Sequence, residues 1–225
     1  MNVSYESCDG GLRLLKLFCT DDEIVVPDNI NGEPVVSIGP RAFESCPQSG
    51  LRSLRIPISV RSADHDTLFG LVGLTDVIYE GTVEMFSDLR LFAYCDVTVK
   101  CADGFRFRFP KGFSMSFPDF DKEYRAFGFR SDDDVVISRL ADPRMMEQEY
   151  IDFYQGMVRR RMMPRSEHAV AHSDTEELRT ILSTGLMTDE DLVALLDLSL
   201  KSGKISVTSL LMSERRKLLG RQNQA

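Results

Sequence analysis

SIGPRAFESC (Ser37–Cys46) and SADHDTLFGL (Ser62–Leu71) carry one apolar pattern 25 residues apart, while LRSLRIP (Leu51–Pro57) and LTDVIYE (Leu74–Glu80) repeat at 23. In the first pair Ile38 maps to Ala63, Gly39 to Asp64, Ala42 to Thr67, Phe43 to Leu68 and Cys46 to Leu71. In the second, Leu51 maps to Leu74, Leu54 to Val77 and Ile56 to Tyr79. A two-residue insertion near Pro47 to Gly50 accounts for the difference and sets the period close to 23. Such a period suits one coil of a solenoid: a short strand, a turn, an apolar ladder and a return to the next strand. Within LRSLRIP, Leu54 and Ile56 alternate with Ser53 and Arg55, so one strand face enters a core and the other meets solvent.

Working outward, the third coil loses the ladder and ends in DVTVKCADGFRFRF (Asp96–Phe109). Val97, Val99 and Cys101 alternate, as do Phe105, Phe107 and Phe109, which predicts a hairpin around Asp103-Gly104 that covers the last apolar face. FPKGFSMSFPDF (Phe109–Phe120), punctuated by proline and glycine, reads as a linker or irregular crossover. Beyond it the period becomes helical. Asp132 to Asp134 are placed to cap VVISRLA, and Pro143 marks a fresh helix in its first turn. Asp174 with Glu177 and Thr188 with Asp191 read as capping boxes, and Gly185 and Gly203 as stops. Leu178, Ile181 and Leu182 map onto Val207, Leu210 and Leu211 at a constant offset of 29. The expected fold is therefore α+β: a short solenoid with a parallel strand per coil over 1–110, a linker over 111–131 and a helical domain over 132–225.

These segments resemble the BspA-like leucine-rich repeat proteins of bacteria. The likeness runs through GLRLLKLF, EIVVPDNINGEPVVSIGPRAFESC, LRSLRIPISV and LTDVIYEGTVEMF, and departs from the family pattern at Ala63, Asp64 and Thr67. It implies a leucine-rich-repeat solenoid whose extended surface meets protein partners. TEELRTILSTGLMTDEDLVALLDLSLKSGK resembles degenerate ankyrin-like helix pairs, which present surfaces of the same kind.

Composition excludes other classes. Asp plus Glu number 35 against 27 Lys plus Arg, a formal net charge of -8, and neither half of the chain is basic, so no nucleic-acid partner is expected. MNVSYESCDGGLRLLKLF lacks the basic start and apolar core of an export signal, and no apolar run suits a membrane span. Five unpaired-looking cysteines then read as reduced thiols of a cytoplasmic protein.

Catalytic and metal chemistry were sought residue by residue. His168 and His172 stand four apart in EHAVAHSD and would share a helix face, the basis of an alternative reading as a small metal-dependent hydrolase. Ala169 occupies the place where a zincin-type motif needs a glutamate, and no third ligand is evident. Arg159 to Arg161 read as helix-end bases that complement neighbouring acids. With three histidines, no phosphate-binding glycine loop and no nucleophile elbow, no catalytic residue, metal or cofactor is assigned. The expected function is a non-catalytic protein-protein interaction. Its candidate contact residues are Arg52, Ser53, Arg55, Asp76 and Ile78, on the solvent side of strands brought together by the period of 23.

Overall fold

The computed structural model describes residues 2–19, 21–46, 51–127, 133–183 and 185–222, so the insertion at 47–50 and Asp132 lie outside the described residues. Two compact units divide the chain, Met1–Ile151 and Asp152–Ala225. The first takes in the crossover and the helices that follow it.

Two ladders of strands build the first unit. One begins with the hairpin β1 (Asn2–Cys8) and β2 (Gly11–Phe18) and continues in parallel through β5 (Glu33–Ile38) to β7 (Ser62–Ala63). Short β4 (Asn29–Ile30) pairs back on β5. The other ladder runs in parallel through β3 (Glu23–Val25), β6 (Ser53–Ile56), β8 (Asp76–Tyr79) and β9 (Val97–Cys101), and ends on antiparallel β10 (Arg106–Phe109). The result is a β-solenoid of about four turns in an α+β protein.

Both sequence offsets reappear as register. Ile38 faces Ala63 across the first ladder, 25 residues on, while Leu54 faces Val77 and Ile56 faces Tyr79 across the second, 23 on. Each coil thus contributes to two ladders. The inward residues Ile24, Leu54, Val77 and Val99 stack as one buried row, with Leu14, Ile38, Phe43 and Leu68 buried around the corner. The third coil, which lacks the apolar ladder of the first two, still keeps its strand in the sheet: β9 pairs with β8 in parallel, Val77 facing Val99 and Tyr79 facing Cys101. The offset has changed to 22, because helix α1 (Val83–Asp88, capped by Thr82) now occupies the return path.

The hairpin forms as predicted, with Gly104 taking the left-handed conformation (φ 86°) that its turn requires. Its covering of the last apolar face continues into the segment read as a crossover. Residues 119–127 form helix α2 (Asp119–Phe127), whose Phe120 and Tyr124, one turn apart, pack in an aromatic cluster with Phe107, Phe109, Phe113 and Phe117. Phe107 and Phe109 sit edge to face at 4.8 Å, and Phe109 and Phe120 at 5.2 Å. Helix α3 (Asp133–Ala141) packs against β10 and brings Arg139 into this cap. The side chains of Arg139 and Asp121 are both 0% exposed. Arg139 donates to both carboxylate oxygens of Asp121, at 3.0 and 2.9 Å, and to the carbonyls of Asp142 and Arg144, while its guanidinium lies 4.0 Å from the Phe117 ring centre. Pro143 falls in the turn that follows α3 instead of the first turn of the next helix, since α4 starts at Gln148.

Helices alone form the second unit: α4 (Gln148–His172) from residue 152 onward, α5 (Thr175–Ser183), α6 (Asp189–Lys201) and α7 (Ile205–Gln222). Their core gathers Ala169, Val170, Leu178, Leu195, Val207 and Leu211. The box at Thr188 and Asp191 is complete, while Asp174 accepts from the Glu177 amide at 3.0 Å. Gly185 (φ 70°) and Gly203 (φ 66°) stand where helices stop. Leu178 and Val207, 29 residues apart, are both buried, as the repeated spacing requires.

Candidate interaction face

Because inward and outward residues alternate, the ladder β3-β6-β8-β9-β10 presents two outward rows. One reads Glu23, Ser53, Asp76, Thr98 and Arg108 across the strands; the other reads Val25, Arg55, Ile78, Lys100 and Arg106. Ser53 therefore neighbours Asp76, and Arg55 neighbours Ile78, at the expected register.

Charge on this face is graded. Toward β3, Arg55 lies between Glu23 at 3.6 Å and Glu80 at 3.8 Å. In the middle, Asp76 takes Lys100 at 2.5 Å and the Thr75 hydroxyl at 2.8 Å. The Lys100 hydrogen bond holds its carboxyl below the ordinary aspartate range, against a smaller opposing effect of burial. At the β10 edge Arg108 pairs with Asp96 at 2.8 Å. Arg52 and Arg106 are exposed and make no ion pair among the described residues. Ile78 is half-buried, and Val25 stays 41% exposed.

Sequence reading missed half of this face. Lys100, Arg106 and Arg108 join it because β9 continues the parallel ladder and β10 turns back on it. The alternation of DVTVKC and RFRF already marked Lys100, Arg106 and Arg108 as outward, but without the offset of 22 nothing attached them to Arg55 and Ile78.

The other candidates have structural partners. Exposed His168 and His172 stack at 4.0 Å, and the Nδ1 of His172 lies 2.9 Å from the His168 carbonyl oxygen. No group of three His, Cys, Asp or Glu among the described residues is set to hold a metal. Arg159 grips Asp191 through two bonds of 2.9 Å and Arg165 holds Glu177, so these bases serve neighbouring helices. The Cys95 thiol points to the carbonyls of Leu71 and Leu74, and burial pushes the Cys101 thiol up to about 12. Neither is poised as a nucleophile. Among the described residues no helix is long and apolar enough to cross a membrane.

No protein-family model matches the chain, and no curated protein matches it. Among solved structures it is similar to a leucine-rich repeat protein of T. pallidum, at 18% identity and a TM-score of 0.27, over 44% of this chain and 50% of that one. The chain thus spans half the length of that structure. The solenoid assignment rests on the strand registers themselves.

Proposed function

We propose that the chain is a non-catalytic interaction module that holds a protein partner on the outward face of its repeat sheet, at Arg52, Ser53, Arg55, Asp76 and Ile78. The observation that carries this reading is the row Val25, Arg55, Ile78, Lys100 and Arg106, which crosses the ladder in register, with exposed Arg52 immediately before β6. Arginine beside apolar side chains is enriched at protein interfaces, and a row crossing every strand of the ladder offers Arg55 and Arg106 with Val25 and Ile78 as a continuous strip. In this reading the repeats are BspA-like, supported by IVVPDNINGEPVVSIG, and the later helices are degenerate ankyrin-like pairs, supported by TEELRTILSTGLMTDEDLVALLDLSLKSGK, with an offset of 29 that falls short of the ~33 of regular ankyrin repeats. The five free thiols support work in a reducing, cytoplasmic setting.

The test is affinity capture from the native organism with full-length bait. Arg52→Glu reverses an exposed, unpaired charge and should lose the partner at an unchanged melting temperature. Reversal at Arg55 is less clean, since a new carboxylate would sit between Glu23 and Glu80. Undiminished capture by a folded triple alanine variant at Arg52, Arg55 and Ile78 would remove the sheet face from consideration.

A further inference from the structure

A second surface lies at a corner of the first unit, away from the sheet rows. His65, Phe92, Tyr94 and Phe69 form a string of rings with successive centres 4.9, 5.0 and 5.3 Å apart, ending under the guanidinium of Arg41, which stands 4.4 Å from the Phe69 ring centre. All are exposed or half-exposed. Asp66 sits among them. The Tyr94 hydroxyl donates to its Oδ1 at 2.8 Å, and His65 Nδ1 lies 3.4 Å from the same oxygen, while Oδ2 has no hydrogen bond among the described residues.

The core does not require these rings. One coil earlier the same corner carries Pro40, Arg41 and Glu44 in the places of His65, Asp66 and Phe69, at the offset of 25 that joins Ile38 to Ala63. Lys16 pairs with Glu44 there, so the earlier corner is an ordinary charged surface. Ala42, Phe43, Thr67 and Leu68, which do fill the core, are buried in both coils. The exchange of Pro40 and Glu44 for the rings of His65 and Phe69 is therefore confined to outward positions.

We propose that this corner docks a proline-rich peptide carrying a basic residue. The rings touch at 34°, 67° and 86°, so their exposed edges and faces are turned against one another in place of one flat platform. Such an angled aromatic surface suits the pyrrolidine rings of a polyproline II helix, whereas sugar stacking wants a flat ring face. The open Oδ2 of Asp66, on a side chain 45% exposed, supplies the anion for an arginine or lysine of the peptide. The Tyr94 hydrogen bond and His65 keep that carboxyl ionised well below neutral pH.

Fluorescence anisotropy on the full chain tests this with a labelled decaproline that ends in arginines, an uncharged decaproline, and a glycine-serine peptide of matched charge. The arginine-tailed decaproline should bind best. Phe69→Ala or Tyr94→Ala should weaken it by about tenfold or more. Asp66→Asn should cost about two- to fivefold and only for the charged probe. Arg52→Glu should leave this binding unchanged, so failure here is distinguishable from failure of the sheet face. Chemical-shift mapping on the unmodified chain gives a readout independent of variant folding, and should centre on Asp66, Phe69 and Tyr94. Equal binding of the glycine-serine peptide, no binding of either proline probe, shifts centred elsewhere, or binding of an oligosaccharide panel in place of the peptides overturns the proposal.

Discussion

In the repeat unit the period of the sequence reappears as hydrogen-bonded register, whereas in the helical unit it reappears only as burial. Offsets of 25 and 23 become Ile38 facing Ala63 and Leu54 facing Val77, pairings that a slip of one residue would turn inside out. The offset of 29 makes Leu178 and Val207 both buried, but helices meet through side chains and tolerate sliding that a ladder forbids. A ladder, however, has ends. The first unit closes one of them with an aromatic cap around a fully buried ion pair, while the pairs of the second unit sit at helix rims: Arg159 is 36% and Asp191 9% exposed.

The largest effect should come from removing that cap. A fragment ending at residue 110 keeps all the strands but loses Phe113, Phe117, Phe120 and Tyr124, which cover Phe107 and Phe109. It should fail to unfold cooperatively in urea, whereas a fragment ending at Ile151 should do so. Thiol labelling gives a clean readout, since all five cysteines lie in the first unit and Cys46 and Cys101 are buried. Protection of both thiols in the shorter fragment would show that the strands need no cap.

How far the sequence was legible follows the same contrast. Coils announced themselves because every rung places Leu54, Val77 or an equivalent at one inward position, so stacking enforces a linear code. The code failed at Val97 to Cys101 because a return path built on α1 changed the offset from 23 to 22, although the alternation itself remained. Helix α2 was hidden by the prolines at 110 and 118, yet Phe120 and Tyr124 carried the spacing of one turn. Arg139 and Asp121 could not be paired by reading, as 18 residues separate them on two helices. The sheet face was half legible: Ser53, Arg55, Asp76 and Ile78 from the offset, and Lys100, Arg106 and Arg108 only from the fold.

Next in size is the ion pair. Asp121→Ala leaves the Arg139 guanidinium charged in a buried aromatic site and should destabilise the first unit by about 3–5 kcal/mol, seen as earlier labelling of Cys101 in urea. Replacing both members, Asp121→Leu with Arg139→Met, should recover much of that loss. Asp191→Ala should cost the helical unit less, about 1–2 kcal/mol, because the partly exposed Arg159 can turn to water and the loss is mainly that of a capping box. Equal costs in the two units would break the contrast between cap and rim.

The smallest effect is on pH dependence. Burial tends to raise the Asp191 carboxyl, but hydrogen bonds from Arg159 and Thr188 outweigh it and hold the group below its ordinary value; Arg215 does the same for Asp189. An aspartate whose folded pKa is depressed adds stability that is complete above its unfolded pKa of about 3.9 and is lost as pH falls through the folded value. Acidification from neutral pH toward pH ~3 should therefore weaken amide protection in α6, because the unfolded chain takes up its proton first. In Asp191→Asn the starting protection is lower and its acid dependence shallower, since the substituted group no longer titrates. Protection in β6 and β8 should keep its own acid dependence, set there by Asp76 under the Lys100 hydrogen bond, until Lys100→Met removes that constraint. An acid slope in α6 that survives Asp191→Asn undiminished would mean that the Arg159 pair does not hold this carboxylate charged, and that Asp189 alone carries the effect.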